Sequence, residues 1–385
     1  MKFAFTEDQV IQIMVKDKIY PYEIEYATYK RFRQKDNILF RRLWDKTLPT
    51  YLQMIDTNIL NHIKSKKEGY SRPDFALVAA GWTVYEMFPY AFTWERKDLI
   101  DIGYGTEWIK SKYLIEDIKY ITNSIKKAAK FYGASLVGIA DVNEKWIYKT
   151  GFKRPDETSE AKAKRDIRGG KTAINIYDQP IDLPEGINKV IVMAVEMDKN
   201  AISTAPTQPA AAASAVAYSK MAFIISCVGE FIRNLGYRAI QCGNDTALSI
   251  PIAIDAGLGA LGRNGLLITP EFGPRVRICK VFTDLPLESD DINLDFIEKI
   301  NNYCKNCSKC AEACENNAIT KDEDPSFNPA TISNNPGICK YYVDVEKCFE
   351  FWVENSSDCG YCIAVCPFSK ISKFLKPHEF WSKLD

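Results

Sequence analysis

Two runs of cysteine near the C-terminal end constrain this chain more than any other feature. The first is Cys304-x2-Cys307-x2-Cys310-x3-Cys314; the second is Cys348-x10-Cys359-x2-Cys362-x3-Cys366, followed by Pro367. A [4Fe–4S] cube takes one thiolate per iron, so four cysteines must converge on it. In the bacterial two-cluster spacing the fourth cysteine of a run serves the other cube. That rule assigns Cys304, Cys307, Cys310 and Cys366 to cluster one, and Cys314, Cys348, Cys359 and Cys362 to cluster two. The second run stretches its first gap from two residues to ten, so Phe349 to Asp358 reads as an inserted loop. Glu315 stands where proline is usual, and neither departure removes a ligand. Zinc also takes four thiolates, commonly as two C-x-x-C pairs, but the packed spacing with a shared fourth ligand fits paired cubes better. Cys227, Cys242, Cys279 and Cys339 share no spacing and read as structural thiols.

Paired clusters form a wire, and the rest of the 385 residues must supply its chemical terminus. At roughly 150 residues per domain, two or three domains are expected. A hydrophobic fraction of 46% supports a sizeable core and argues against disorder. Fifty basic residues balance fifty acidic ones, so no electrostatic footprint for nucleic acid is present. A disulfide scaffold is a remedy for small secreted domains rather than for a chain this size. The two histidines, His62 and His378, leave little room for His-rich metal sites. No run of about 18 apolar residues is evident, so no membrane-spanning helix is expected. The N-terminus lacks a basic region followed by an apolar stretch, and polar residues follow the Arg41-Arg42 pair. The chain is therefore expected to stay inside the cell, unless a leader was removed ahead of residue 1.

Residues 1–110 mix aromatics with charge and read as short helices and irregular segments, with GWTVYEMFPYAFTW (Gly81 to Trp94) dense enough to wall an apolar pocket. From about residue 115 the spacing of Ile118, Ile121, Ile125 and Ala129 predicts a helix stopped by Gly133. Ala134–Asp141, Lys189–Asp198 and Tyr237–Gly243 read as strands, and Ala210–Leu235 as a long Ala-rich helix closed by Gly236. Strands alternating with helices predict an α/β layered fold. Residues 161–175 read as an exposed loop. Gly257-x-Gly259-x-x-Gly262 matches the dinucleotide fingerprint by letters, but Gly265, Pro270, Gly273 and Pro274 follow at once. No helix can open there to meet a pyrophosphate, so these glycines are expected to let backbone approach another bulky ligand.

The segment AGLGALGRNGLLITPEFGPRVRICKVFTDLPL followed by both cysteine runs resembles the corrinoid-dependent reductive dehalogenases, as do ISTAPTQPAAAASAVAYSKMA and CGNDTALSIP. The similarity runs from about Ala134 to Phe368. It implies an α/β (α+β) nitroreductase-like corrinoid-binding domain over 111–290, a ferredoxin-like two-cluster domain over 291–385, and an aromatic-rich helical region over 1–110. It further implies base-off cobalamin reduced through two [4Fe–4S] clusters and a small organohalide that loses halide. Tyr218 in VAYSKMA matches the family's proton donor, Arg277 in GPRVRI the arginine beside it, and Asn244 in CGND a polar partner. Cleaving carbon–halogen with two electrons leaves carbanion or radical character, so a proton must arrive. A guanidinium near a phenol stabilises the phenolate. From composition alone, Tyr218 would be a core tyrosine, Arg277 a surface ion pair and Asn244 a turn residue. Trp352 sits where the family builds its substrate pocket, with Trp82 a second candidate for that wall. The Ala205–Pro206 turn and Gly257, Gly259, Gly262 and Asn264 are candidate corrinoid contacts through backbone.

The resemblance also suggests a homodimer and a small membrane-anchor protein on the outer face of the cytoplasmic membrane, with the electron donor unspecified. Epoxyqueuosine reductase, a relative that deoxygenates a modified tRNA base, is the alternative, but the neutral charge, the short tail after Cys366 and a tyrosine where it carries aspartate favour the dehalogenase. A plain electron-transfer ferredoxin with an upstream docking domain would need no proton donor.

Overall fold

The structure, a computed structural model, describes residues 21–87, 111–153 and 177–383. Phe88, Tyr90, Phe92 and Trp94 of the aromatic stretch, and the expected loop 161–175, lie outside the described residues. Eight strands are described: β1 (Leu136–Asp141), β2 (Thr150–Lys153), β3 (Tyr177–Pro180), β4 (Lys189–Glu196), β5 (Ala239–Cys242), β6 (Ala260–Leu261), β7 (Leu267–Ile268) and β8 (Val276–Thr283). The main sheet runs β1-β4-β8-β5. Every pairing in it is antiparallel, so the expected layered alternation of helix and strand is present but the sheet is of the α+β kind.

Both faces of the sheet are covered, which explains why β4 is a continuous apolar run: Val190 to Val195 are all buried. Ile139, Ile191, Met193, Val195, Cys279 and Val281 face the helices Ile118–Phe131 and Gln208–Asn234. Ala140, Val190, Val192, Ala194, Ile278 and Phe282 face the opposite layer, which contains the helices Ser249–Asp255 and Leu294–Asn306. The helix Ile118–Phe131 buries Ile121, Ile125 and Ala129, one per turn, and Asp117 caps it by accepting from the Tyr120 N–H. The long helix spans Gln208–Asn234, with proline in its first turn. By length and composition it could cross a membrane, which amends the expectation that no stretch qualifies. Here it lies against the sheet, with Ala213, Ala217, Met221, Ile224, Ile225 and Val228 in the core.

The N-terminal segment and the cysteine region are interleaved with this core. The helix Arg72–Gly81 has a Ser71/Asp74 capping box. Ser219 of the long helix donates to the Gly81 carbonyl. Ile24 bridges Ile338, and Arg41 pairs with Glu346. Phe380 of the final helix is buried in the sheet core, and Trp381 donates to Asp74. The expected inserted loop Phe349–Asp358 is mostly helix: Val345–Asn355 is helical, capped by Asp344, and ends at left-handed Ser356.

Candidate functional site

The antiparallel register brings the site together at one end of the sheet. Arg277 lies opposite Val195, and its strand neighbours Cys279 and Val281 face the long helix. With a two-residue repeat along a strand, Arg277 is directed to that helix as well. Its Nη2 donates to Ser214 Oγ at 2.9 Å, and its guanidinium carbon lies 5.6 Å from the centroid of the Tyr218 ring. Ser214 and Tyr218 are four residues apart, one above the other on a single helix face.

Asn244 follows β5, in the turn after Cys242, and its Nδ2 donates to the Tyr218 hydroxyl at 2.7 Å. The turn is held from both sides. Tyr148 donates its hydroxyl to the Asn244 carbonyl at 3.2 Å. Lys280, fully buried on the other face of β8, donates to the Gly243 carbonyl and to Ser249 Oγ. Burial pushes the Lys280 ammonium down, opposed by Cys242 and Asp245. Burial likewise pushes the Tyr148 phenol up, helped by Asp245 and Tyr218.

Rings complete the setting of Tyr218. Trp82 stacks on it at 5.1 Å and 25°, and Tyr85 meets it edge-on at 5.3 Å and 70°. Tyr218 itself is half-buried and Asn244 exposed. The described contacts of Trp352 are elsewhere: its ring tilts against Phe349 at 6.3 Å, and its carbonyl accepts from the Ser357 N–H. Trp82 is thus joined to the tyrosine and Trp352 is not, among the described residues.

Eight of the cysteines lie close enough in the described residues to bear on one another electrostatically. Each is free of disulfide bonding. The Cys310 thiol feels Cys304, Cys366 and Cys307, while Cys359 feels Cys348 and Cys314. Cys362 feels Cys348, Cys359, Cys310 and Cys314, so the two groups adjoin through Cys310 and Cys362. Burial pushes Cys310, Cys348 and Cys359 up to about 12. Four such thiols become thiolates together only around a cationic core. Among the described residues no group of three or more His, Cys, Asp or Glu is placed to hold a single ion. The packed spacing with a fourth cysteine from the other run suits a cube in which each iron takes its own sulfur.

Asp358, beside Cys359, links this region to the tyrosine. Burial pushes its carboxyl up, against the pull of the Arg277 guanidinium and a hydrogen bond from Ser214. Arg277 Nε and Ser357 Oγ are buried without a hydrogen-bond partner. An orphaned buried donor costs about 1–3 kcal/mol, so each is open to an acceptor on a bound group. A corrinoid, with its rim of carboxamides, has the donors and acceptors to satisfy both.

The candidate backbone contacts fare unevenly. Ala205–Pro206 is a cis peptide beside the cluster-two loop: a Cβ on Gly360 would lie 3.6 Å from that of Ala205. The Pro206 carbonyl is already used by Tyr70 and Asn355. The glycines have a nearer reason than a ligand. A Cβ on Gly257 would meet the Asp291 carbonyl at 2.5 Å, and one on Gly259 the Ile268 carbonyl at 2.1 Å. Gly262 is filled by the Ile268 side chain at 2.8 Å. Gly257 and Gly259 lead into β6 and Gly262 lies in the β6–β7 turn, so the segment is a hairpin rather than a phosphate-binding turn. Asn264 reaches the Cys362 carbonyl at 3.3 Å, so it serves the cluster-two loop. Gly259→Ala is therefore expected to destabilise even the cobamide-free chain by about 1–3 kcal/mol, read as a fall in Tm. An unchanged Tm with altered cobamide uptake would return Gly259 to the ligand.

Ser214 and Asp358 beside Tyr218 and Arg277 escaped the sequence reading, and Tyr85 entered it only as part of the Gly81–Trp94 aromatic stretch. Ser214 could have been found one helical turn before Tyr218, Tyr85 three residues after Trp82, and Asp358 as the acid preceding a ligand cysteine.

A family model described as reductive dehalogenase subunit matches residues 132–287, and one described as 4Fe-4S dicluster domain matches 303–370. A tetrachloroethene reductive dehalogenase from Desulfitobacterium hafniense is 36% identical over 310 residues, covering 74% of this chain and 54% of that protein. One from Sulfurospirillum multivorans is 34% identical over 327 residues, covering 80% and 64%. The chain belongs to the reductive dehalogenase family. It spans little more than half the length of the first of these relatives. A solved catabolic reductive dehalogenase, NpRdhA, shares the fold of this family member with a TM-score of 0.65 at 21% identity, covering 94% of this chain and 45% of that one. Another solved reductive dehalogenase, described in terms of B12-dependent dehalogenation, gives 0.64 at 20% identity, covering 95% and 46%. An epoxyqueuosine reductase from Listeria monocytogenes is a distant relative, 29% identical over 31% of this chain.

Proposed function

We propose that the chain is a reductive dehalogenase in which Tyr218 donates the proton that replaces a halogen. The observation that carries this reading is the Asn244 Nδ2 to Tyr218 hydroxyl bond of 2.7 Å beside Arg277, at the edge of the cluster-two loop. Bound cobalamin would supply a strongly reducing metal centre able to accept a halogen-bearing carbon compound. Arg277 and Ser357, with their orphaned buried atoms, and the Ala205–Pro206 turn would hold it.

The remaining steps belong to the chain's own side chains. Tyr218 holds one proton on its hydroxyl oxygen, and Asn244 fixes that oxygen by donating to it, which leaves the O–H free to point at substrate. Arg277 places a cation against the same ring, where it favours the phenolate left after transfer. Trp82 and Tyr85 fix the plane of the ring and exclude water from its faces. An apolar organohalide gains mainly from such apolar area. The tetrachloroethene-reducing relatives support a chlorinated ethene as the substrate to try first. Homodimerisation and a small membrane-anchor partner outside the cytoplasmic membrane belong to the same reading, by family likeness.

Anaerobic loading with iron, sulfide and a cobamide, then assay with reduced methyl viologen, tests the proposal. Halide release from chlorinated ethenes, ethanes or phenols is expected only when clusters and cobamide are both present. A chain that holds its iron but takes up no cobamide would refute it.

A further inference from the structure

The charges that bear on the two cysteine groups are of opposite sign. Arg263, in the β6–β7 hairpin, is 2% exposed, yet every acceptor it reaches is a main-chain carbonyl. It donates to Cys304 at 2.8 Å, Cys307 and Thr320 at 3.1 Å, and Asp322 at 2.6 Å. Its guanidinium carbon also lies 4.0 Å from the centroid of the Tyr341 ring. A full positive charge is thus buried against the Cys304–Cys307 loop with no carboxylate among its acceptors. It bears as a cation on Cys304 and Cys310.

Around the other four cysteines the charges that bear on the thiols are acids, each with a cation beyond it: Lys347 lies 3.5 Å from Asp344, and Arg277 faces Asp358. Asp344 caps the helix that carries Cys348 and bears on that thiol. Asp358 does the same to Cys359. Adding an electron to a cube adds negative charge, which a nearby cation favours and a nearby carboxylate opposes; net charge around a cluster is one of the terms that set its potential.

We infer that Arg263 makes cluster one the higher-potential centre, and that cluster two, between Asp344 and Asp358 and next to the Tyr218–Arg277 site, is the lower-potential one. A one-electron donor then fills cluster one first. Each electron passed on oxidises cluster one and reduces cluster two, with no proton required. Arg263 is a positioning and tuning residue, since it acts through the loop that holds the ligands. The inference needs only that both clusters load, with no cobamide or organohalide, so it stands or falls apart from the dehalogenation proposal.

The test is a redox titration followed by electron paramagnetic resonance, on the full chain carrying both clusters, with titanium(III) citrate as reductant and without cobamide or substrate. Arg263→Gln is expected to lower the higher midpoint by at least tenfold in the reduction equilibrium, ~59 mV for a one-electron couple, and to leave the lower one in place. Arg263→Lys, which keeps the charge, is expected to retain most of the wild-type value. Asp344→Asn, which preserves the helix cap, is expected to raise the lower midpoint only. A higher midpoint unmoved by Arg263→Gln, or a shift confined to the lower one, would overturn the assignment. Should Arg263→Gln fail to load cluster one, Asp344→Asn decides, and a lower midpoint that does not rise overturns it.

Discussion

Tyr218→Phe is expected to cut halide-release turnover about 10²–10⁴-fold, the range for removing a general acid, with iron content and cobamide uptake unchanged. The substitution removes one oxygen and keeps the ring. The stack with Trp82 and the edge contact with Tyr85 survive, so the half-buried side chain keeps its place. Asn244 loses its acceptor, but its exposed amide recovers a partner from water, and the stability cost stays near the ~1 kcal/mol of an ordinary hydrogen bond. Turnover should therefore fall while KM for the organohalide moves little, as for an interaction made only in the transition state. Tyr218→Ala should add a rise in KM, because it also empties the ring's place in the apolar wall. Wild-type turnover in the Phe variant would remove Tyr218 from the chemistry and leave the Arg277–Asn244 arrangement as a structural contact.

Much of this was legible in the sequence, and the gaps have physical causes. The strands 136–141, 189–196 and 239–242 were readable because both faces of the sheet are buried, which leaves apolar runs with no competing period. Their antiparallel pairing was not, since the same apolar runs serve either direction. The ligand cysteines are assigned to two cubes because thiolate spacing is a geometric requirement of the cube itself. The loop inferred at 349–358 failed for the opposite reason: the length of a gap says nothing about its conformation, and VEKCFEFWVEN carries an amphipathic helix capped by Asp344. Sequence cannot show what a missing Cβ makes room for; at Gly257 and Gly259 the chain's own carbonyls stand there. Trp82 and Tyr218 are joined through tertiary stacking across 136 residues of sequence, which no local pattern encodes.

The crossing of the cysteine runs makes the second large expectation. If each run served its own cube, Cys366→Ala and Cys348→Ala would remove the same cluster, because both belong to the later run. In the structure Cys366 feels Cys304 and Cys307, whereas Cys348 feels Cys314. The turn that begins at Cys366 is pinned there: a Cβ on Gly273 would lie 2.4 Å from the Phe368 carbonyl, and the Ser369 N–H donates to the Cys366 carbonyl at 2.9 Å. The two variants are thus expected to lose different clusters. Each should retain about half the iron, with one thiolate per iron lost from one cube only. The two residual paramagnetic signals should differ and, added together, reproduce the wild type. Turnover should fall to background in both, since either loss breaks the wire. Identical residual spectra would mean that each run closes on itself, and the site would then have to be rebuilt with Cys314 in cluster one.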